Sequence, residues 1–145
     1  MNTEICAFVE ITRGPRVECF AELHMSGDVE LFGLLGGFRD GTPPVIPLRG
    51  LPTNASTIVL ERASKLHECD LATFNRYHLA SYLYASELHQ VEAARRKRRG
   101  EVGFSPAQLC TELLYDSYDE FLAVQALMAK LLDMAHCPRF VFWFV

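Results

Sequence analysis

The last six residues, Phe140, Val141, Phe142, Trp143, Phe144 and Val145, are apolar without interruption, and no other stretch limits the fold as much. The run is too short for a helix, and a strand with apolar side chains on both faces needs cover on both. At an open sheet edge it would invite association with other chains, so it also needs strand neighbours. Residues 5–12 (ICAFVEIT) and 17–23 (VECFAEL) can supply them: both are short and rich in β-formers, with the turn-forming Arg13-Gly14-Pro15 between them. The pattern predicts a hairpin beside the terminal strand in one small sheet.

Helical signals fill the interval. Val29, Leu31, Phe32, Leu34 and Leu35 cover a broad helical face that Ser26 or Asp28 can cap and Gly36-Gly37 would stop. Residues 40–53 hold Gly41, Pro43, Pro44, Pro47, Gly50 and Pro52, too many breakers for a regular element. Ser56 is placed to cap a helix through Glu68, and Asp70 to cap a longer one from Leu71 toward Arg99. Between Leu71 and Val91 the apolar residues fall on nearly every helical face, so this segment is deeply packed, kinked or used at an interface. Ser105-Pro106-Ala107-Gln108 and Ser117-Tyr118-Asp119-Glu120 are capping boxes. The second opens an apolar helix carrying Phe121, Val124, Met128, Leu131 and Ala135, which Cys137-Pro138 ends. The expected class is α+β: a single domain over residues 1–145, with a small antiparallel sheet (amino-terminal hairpin plus carboxyl-terminal strand) covered by about four helices. The apolar terminal strand and the apolar middle segment also permit a homodimer.

Half of the 145 residues are hydrophobic, enough for a sizeable core. No run approaches the roughly 18 apolar residues of a membrane span. The first twenty residues carry Glu4, Glu10 and Glu18 where an export leader has a basic and then an apolar region. A soluble, cytoplasmic protein is expected. Five cysteines, odd in number and without a C-x-x-C pair, fit a reducing compartment. His67-x-Cys69 and His136-Cys137 lack the paired spacing of a zinc site, so no metal and no cofactor is expected. Cys6, Cys19, His24, His78 and His89 make a Cys/His nucleophilic site only where the fold brings them together, and no local motif marks a catalytic residue.

The net charge of −4 conceals a run of five cations, Arg95, Arg96, Lys97, Arg98 and Arg99, which leaves −9 on the remainder. Such a run can contact phosphates of a nucleic acid, dock on an acidic protein patch, or form a solvated helix end that Gly100 stops. Nucleic acid is the less favoured partner, because no aromatic residue interleaves the run and the rest of the chain is acidic. Glu112, Asp116, Asp119 and Glu120 form an acidic cluster, either a solvated face or a mimic of a phosphate backbone. Tyr77, Tyr82 and Tyr84 are core residues if buried and interface anchors if exposed. Arg39 and Arg49 flank the proline-rich loop and can clamp a carboxylate or phosphate, or hold loop carbonyls. A phosphate loop places glycines after a strand and before a helix. Here Gly36, Gly37 and Gly41 follow the helical run, so helix termination is the favoured reading.

Four segments, "EICAFVEI", "VELFGLLGGFRDG", "PLRGLP" and "FVFWFV", together resemble a family of small bacteriophage and prophage proteins without an assigned activity. That family begins with a Cys-Asp-Ile-His-hydrophobic-Phe-Val-Glu signature, carries a Leu-Phe-x-hydrophobic-Leu-x-Gly helix end and Pro-Arg-Gly-Leu-Pro, and finishes in Phe-Trp-Phe. Arg39, Gly41, Arg49, Gly50, Leu51 and Pro52 are retained, whereas Thr3, Glu4 and Cys6 stand where the signature has cysteine, aspartate and histidine. Residues 66–100 fall outside the resemblance. It implies an α+β fold and a phage origin but no mechanism. Because small phage accessory proteins often act against host defence, the expected function is binding of a bacterial host protein through the acidic and tyrosine-bearing helical surfaces, foremost as an inhibitor of an immune effector, anti-CRISPR-like or otherwise anti-defence. Binding of a nucleotide or other small phosphorylated ligand through Arg39 and Arg49 is the alternative.

Overall fold

The computed structural model describes residues 3–27, 29–101 and 118–145. The cap candidates Asp28 and Ser117, the capping box at Ser105, and Cys110, Glu112 and Asp116 lie outside the described residues.

The hairpin forms as the sequence predicts, from β1 (Thr3–Arg13) and β2 (Arg16–Gly27). The terminal strand, Arg139–Phe144, pairs antiparallel with the other side of β1, setting Ile5 against Phe144, Ala7 against Phe142 and Val9 against Phe140. A fourth strand, Ser81–Tyr84, pairs with the terminal one. In chain order these are β3 (Ser81–Tyr84) and β4 (Arg139–Phe144), and the sheet runs β2-β1-β4-β3, antiparallel throughout. The apolar run therefore occupies an interior position.

Helices cover both faces. On one, α1 (Val29–Gly36), α4 (Ala85–Glu101) and α5 (Tyr118–Asp133) bury Leu31, Leu35, Leu88, Val91, Phe121 and Met128 against Val9, Phe140 and Phe142. On the other, α2 (Thr57–Leu66) and α3 (Leu71–Tyr77) set Val59, Ala63 and Phe74 against Phe8, Val141 and Trp143. The rings of Phe8 and Phe74 lie 5.0 and 5.3 Å from that of Trp143. Each fully buried aromatic of β4 contributes roughly 1.5–3 kcal/mol relative to exposure.

The long helix expected from Leu71 toward Arg99 is three elements. Asp70 caps only α3, accepting the Thr73 amide at 2.9 Å; the chain then turns at Leu79, in the left-handed region at φ 51°, and enters β3 before α4 begins. The apolar residues fall on nearly every helical face of the sequence because they serve three surfaces. Phe74 faces the α2 layer, Leu83 faces the α4–α5 layer, and Leu88 and Val91 point from α4 toward the sheet.

Ser26, a cap candidate for α1, lies within β2, whereas the signals at Ser56 and Gly37 act as read. Ser56 caps α2, its hydroxyl accepting the Val59 amide at 3.4 Å, and the helix ends at Leu66 rather than Glu68. Gly37 ends α1 at φ 105°, with its amide donating to the Gly33 carbonyl at 2.9 Å. Only a glycine adopts this conformation at no steric cost. Among the described residues no helix is long and apolar enough to cross a membrane.

Candidate functional site

The five-cation run does not form one basic surface. Helical spacing places Arg95 and Arg99 on the same inward stripe as Leu88 and Val91. Both are buried, their Nε atoms 2.9 and 3.0 Å from Oε1 of Glu30 on α1. Arg98 lies over the Phe38 ring, 3.9 Å from its centroid, and Arg96 pairs with Glu92 one turn back at 2.7 Å. The solvated helix end read from the sequence therefore consists of Arg96 and Lys97, with Arg95 and Arg99 serving the packing of α4 on α1.

The loop after α1 spends its amides internally. Phe38 donates to the Thr42 carbonyl at 2.8 Å, Gly41 to Phe38 at 3.1 Å, and Thr42 to the Asp40 carboxylate at 2.9 Å. Arg39 is exposed in this turn. Arg49 seals the free edge of β3: its guanidinium donates to the Tyr82 carbonyl at 2.9 Å and grips both carboxylate oxygens of Glu87. Glu87 in turn accepts the Tyr84 amide at 3.0 Å. The hydrogen bonds from Arg49 hold the Glu87 carboxyl below the usual glutamate range and raise the guanidinium further. Arg49 also lies over the rings of Tyr82 and Tyr84, at 5.2 and 5.8 Å.

A second ion pair joins β1, β4 and the start of α2 beside this edge. Glu10, wholly buried on β1, accepts Arg139 Nε at 2.7 Å and the Ser56 amide at 2.6 Å. Arg139 reaches on to the Asn54 side chain at 2.8 Å and its carbonyl at 3.2 Å, and lies 5.8 Å from the Tyr82 ring. Tyr82 thus sits between the arginine of the proline-rich loop and the arginine that opens β4. Each of these charges has an opposite partner, so the cluster locks the loop and α2 to the sheet and leaves no carboxylate here as a general base.

Of the three tyrosines, Tyr77 is 72% exposed and Tyr84 47%, whereas Tyr82 is half-buried. Tyr77 packs edge-on to His67 at 5.2 Å. His67 lines a groove of about 440 Å³ between α2 and α3, with Leu60, Ser64, Cys69, Leu71 and Phe74 among its walls. Leu60 and Leu71 are both more than 40% exposed, Glu68 adds a carboxylate to the walls, and Tyr77 stands beside the groove through its contact with His67. Behind it, His67 Nδ1 lies 3.4 Å from His78 Nε2, and His78 Nδ1 lies 3.0 Å from the Phe144 carbonyl. Asp119 and Glu120 are exposed at the start of α5, in the layer on the opposite face of the sheet. The tyrosines and these carboxylates do not share a surface.

A second cleft, about 260 Å³, lies between the sheet and α2, with Cys6, Glu22, His24, Arg62, Lys65 and Leu66 in its walls and the buried Phe8 and Trp143 behind them. Cys6 and His24 face each other across the hairpin, with Sγ 4.0 Å from Nδ1. The fold therefore joins a thiol and an imidazole that no local motif connects. Burial, then the charges of Glu4 and Glu22, push the Cys6 thiol up, against a smaller opposing effect of the Trp143 N–H. A protonated thiol is a poor nucleophile. Arg62 on α2 is fixed beside it by a two-point pair with Glu22, at 2.8 and 3.2 Å.

The pairing of Cys6 with His24 depends on a bulge. Counted straight from the Gly14 turn, Cys6 would face Leu23; the register shifts between Val9 and Glu10, leaving Phe20 unpaired. Among the described residues no group of three His, Cys, Asp or Glu side chains is arranged to hold a metal ion. Comparison with family models, with curated proteins and with solved structures finds no match.

Proposed function

We propose that this protein works by binding, as a phage- or prophage-type accessory protein that occludes a bacterial host protein, foremost an immune effector. The observation that carries this reading is the exposed surface on α2 and α3. There exposed Tyr77 packs on His67 at the side of a groove that exposes Leu60 and Leu71 among polar walls, an aromatic anchor beside exposed aliphatic side chains of the kind that contributes most at interfaces. The phage setting and the kind of target rest on the sequence resemblance. Of the surfaces named from the sequence, the tyrosine side carries the proposal; Asp119 and Glu120 would meet a different part of a partner, or none. The ligand alternative is not supported at Arg39 and Arg49, since Arg49 is committed to Glu87 and the β3 edge. The reading is tested by phage plating on hosts that each carry one defence system and express the protein. Wild type should restore plating against at least one system, and Tyr77→Ala combined with Leu71→Glu should not. Failure across a broad panel, or full activity of the double variant, would reject it.

A further inference from the structure

The hydrogen bonds behind the α2–α3 groove fix what its histidine can offer a partner. A carbonyl oxygen only accepts, so His78 Nδ1, 3.0 Å from the Phe144 carbonyl, carries a hydrogen and donates it. In the neutral ring His78 Nε2 is then an acceptor, and the hydrogen between it and His67 Nδ1, 3.4 Å away, comes from His67. That leaves His67 Nε2 with a free lone pair on the side of its ring turned away from the buried His78. His67 is half-buried in the groove wall beside Ser64 and Glu68. Glu68 is exposed and forms no ion pair among the described residues. Asp70, between the wall residues Cys69 and Leu71, holds its carboxylate on the Thr73 amide and hydroxyl, which keep its carboxyl below the usual aspartate range. The cations of the two helices are committed or turned elsewhere. Arg62 pairs with Glu22, Lys65 lines the adjoining hollow with Glu61, and Arg76, two residues from the inward Phe74, falls on the opposite side of α3.

We propose that the groove takes one lysine or arginine side chain of the partner, its methylene stem between Leu60 and Leu71 and its cationic head on Glu68, the Ser64 hydroxyl and His67 Nε2. This rests on the partner-binding reading of the α2–α3 surface and names the chemistry the partner brings. Lysine and arginine alone join a long apolar stem to a charged head that only donates. A carboxylate or phosphate would meet the Glu68 charge, and a wholly apolar side chain would strip water from these acceptors without replacing its hydrogen bonds. Size points the same way. One helical turn about 10 Å wide and 5.4 Å high fills roughly 400 Å³, nearly the whole groove of about 440 Å³, so the space suits one extended side chain rather than a docked helix.

The test is an NMR titration of the whole protein, labelled at histidine and leucine, with end-blocked Ala-Lys-Ala and Ala-Arg-Ala. Ala-norleucine-Ala supplies the stem without the cation, and Ala-Glu-Ala the opposite charge. The expected result is saturable shifts of the His67, Leu60 and Leu71 signals by at least one cationic peptide, at concentrations at least fivefold below those the norleucine peptide requires, with no shift by the glutamate peptide in that range. The tighter of the two cationic peptides names the side chain. Glu68→Gln, a change at an exposed position, should bring the cationic and norleucine peptides to within twofold of each other while leaving the melting temperature within about 2 °C, as for surface substitutions. Nitrogen-15 spectra of the free protein with both rings neutral should place the hydrogen on Nδ1 of His67 and of His78. No saturable response to either cationic peptide, an equal response to norleucine, unchanged selectivity in Glu68→Gln, or a hydrogen on His67 Nε2 would each overturn the proposal. The peptides need no host protein, so their failure would leave capture of a partner through Tyr77 and Leu71 standing with a different anchor. Cation binding without a captured partner would reject the host-protein reading alone.

Discussion

Removing one member of the Glu10–Arg139 pair should be among the most damaging single changes in this protein. Glu10 is fully buried and its two oxygens take one bond each, from Arg139 Nε at 2.7 Å and the Ser56 amide at 2.6 Å. Glu10→Leu leaves a nearly buried guanidinium with hydrogen bonds only to Asn54 and the Tyr82 ring nearby, and the amide at the start of α2 without its carboxylate acceptor. A stranded buried charge costs about 3–5 kcal/mol and an orphaned amide about 1–3 kcal/mol. Compensating rearrangement lowers the sum, so about 4 kcal/mol is expected. Arg139→Met should cost about 3 kcal/mol by stranding the carboxylate, partly relieved by the Ser56 amide. The double variant is the informative one. It removes both charges and should cost about 4 kcal/mol rather than the 7 kcal/mol of independent effects, a coupling of about 3 kcal/mol. Urea unfolding followed by Trp143 fluorescence measures all three, and shifts of about 2–4 °C per kcal/mol make the singles visible by thermal melting. Single variants that each cost under about 1 kcal/mol, or a strictly additive double variant, would refute the assignment of this pair as the lock between loop, α2 and sheet.

The remaining predictions concern other contacts. At Gly50, φ is 77° and an added Cβ would sit 2.6 Å from Asn75 Nδ2, while Asn75 Oδ1 holds the Leu51 amide at 3.0 Å; Gly50→Ala should destabilise by about 2 kcal/mol in urea melts. Glu87 has its carboxyl lowered by the Arg49 hydrogen bonds. The folded value therefore lies below the unfolded one, and the stabilisation is complete above the ordinary glutamate range and lost as pH falls through the folded value. Glu87→Gln should flatten the acid limb of the stability–pH curve, and a limb of unchanged slope would contradict the pairing. Arg95→Ala should destabilise by about 3 kcal/mol because it leaves Glu30 with one fewer buried partner, whereas Lys97→Ala should change chemical stability by under about 0.5 kcal/mol.

The outer architecture was legible because its signals are local. Apolar runs at residues 5–12 and 140–145, the Gly14 turn, the Ser56 and Asp70 caps and the stop at Gly37 each act within a few residues, and each appears in the structure. β3 was not legible. The turn before it carries neither glycine nor proline, only Leu79 forced to φ 51°, and the Tyr-Leu-Tyr of the strand continues the apolar content of the flanking segments. Its existence is decided by β4, whose open edge needs a partner. The parcelling of the cation run was half-legible. The spacing of Leu88, Val91, Arg95 and Arg99 marks one inward stripe, but the Glu30 that neutralises it lies on another helix. The Cys6–His24 cleft was least accessible, since one bulged residue, Phe20, decides whether the two side chains face each other.

Affinity capture from a bacterial lysate, using tagged wild-type protein in parallel with the Leu71→Glu, Tyr77→Ala double variant, tests the central claim most directly. The account predicts one host protein retained stoichiometrically by wild type and reduced at least thirtyfold by the variant, the loss of about 2 kcal/mol that defines an interface hot spot, with the variant's melting curve unchanged. Equal retention by a folded variant, or no stoichiometric partner in lysates that carry defence systems, would contradict it.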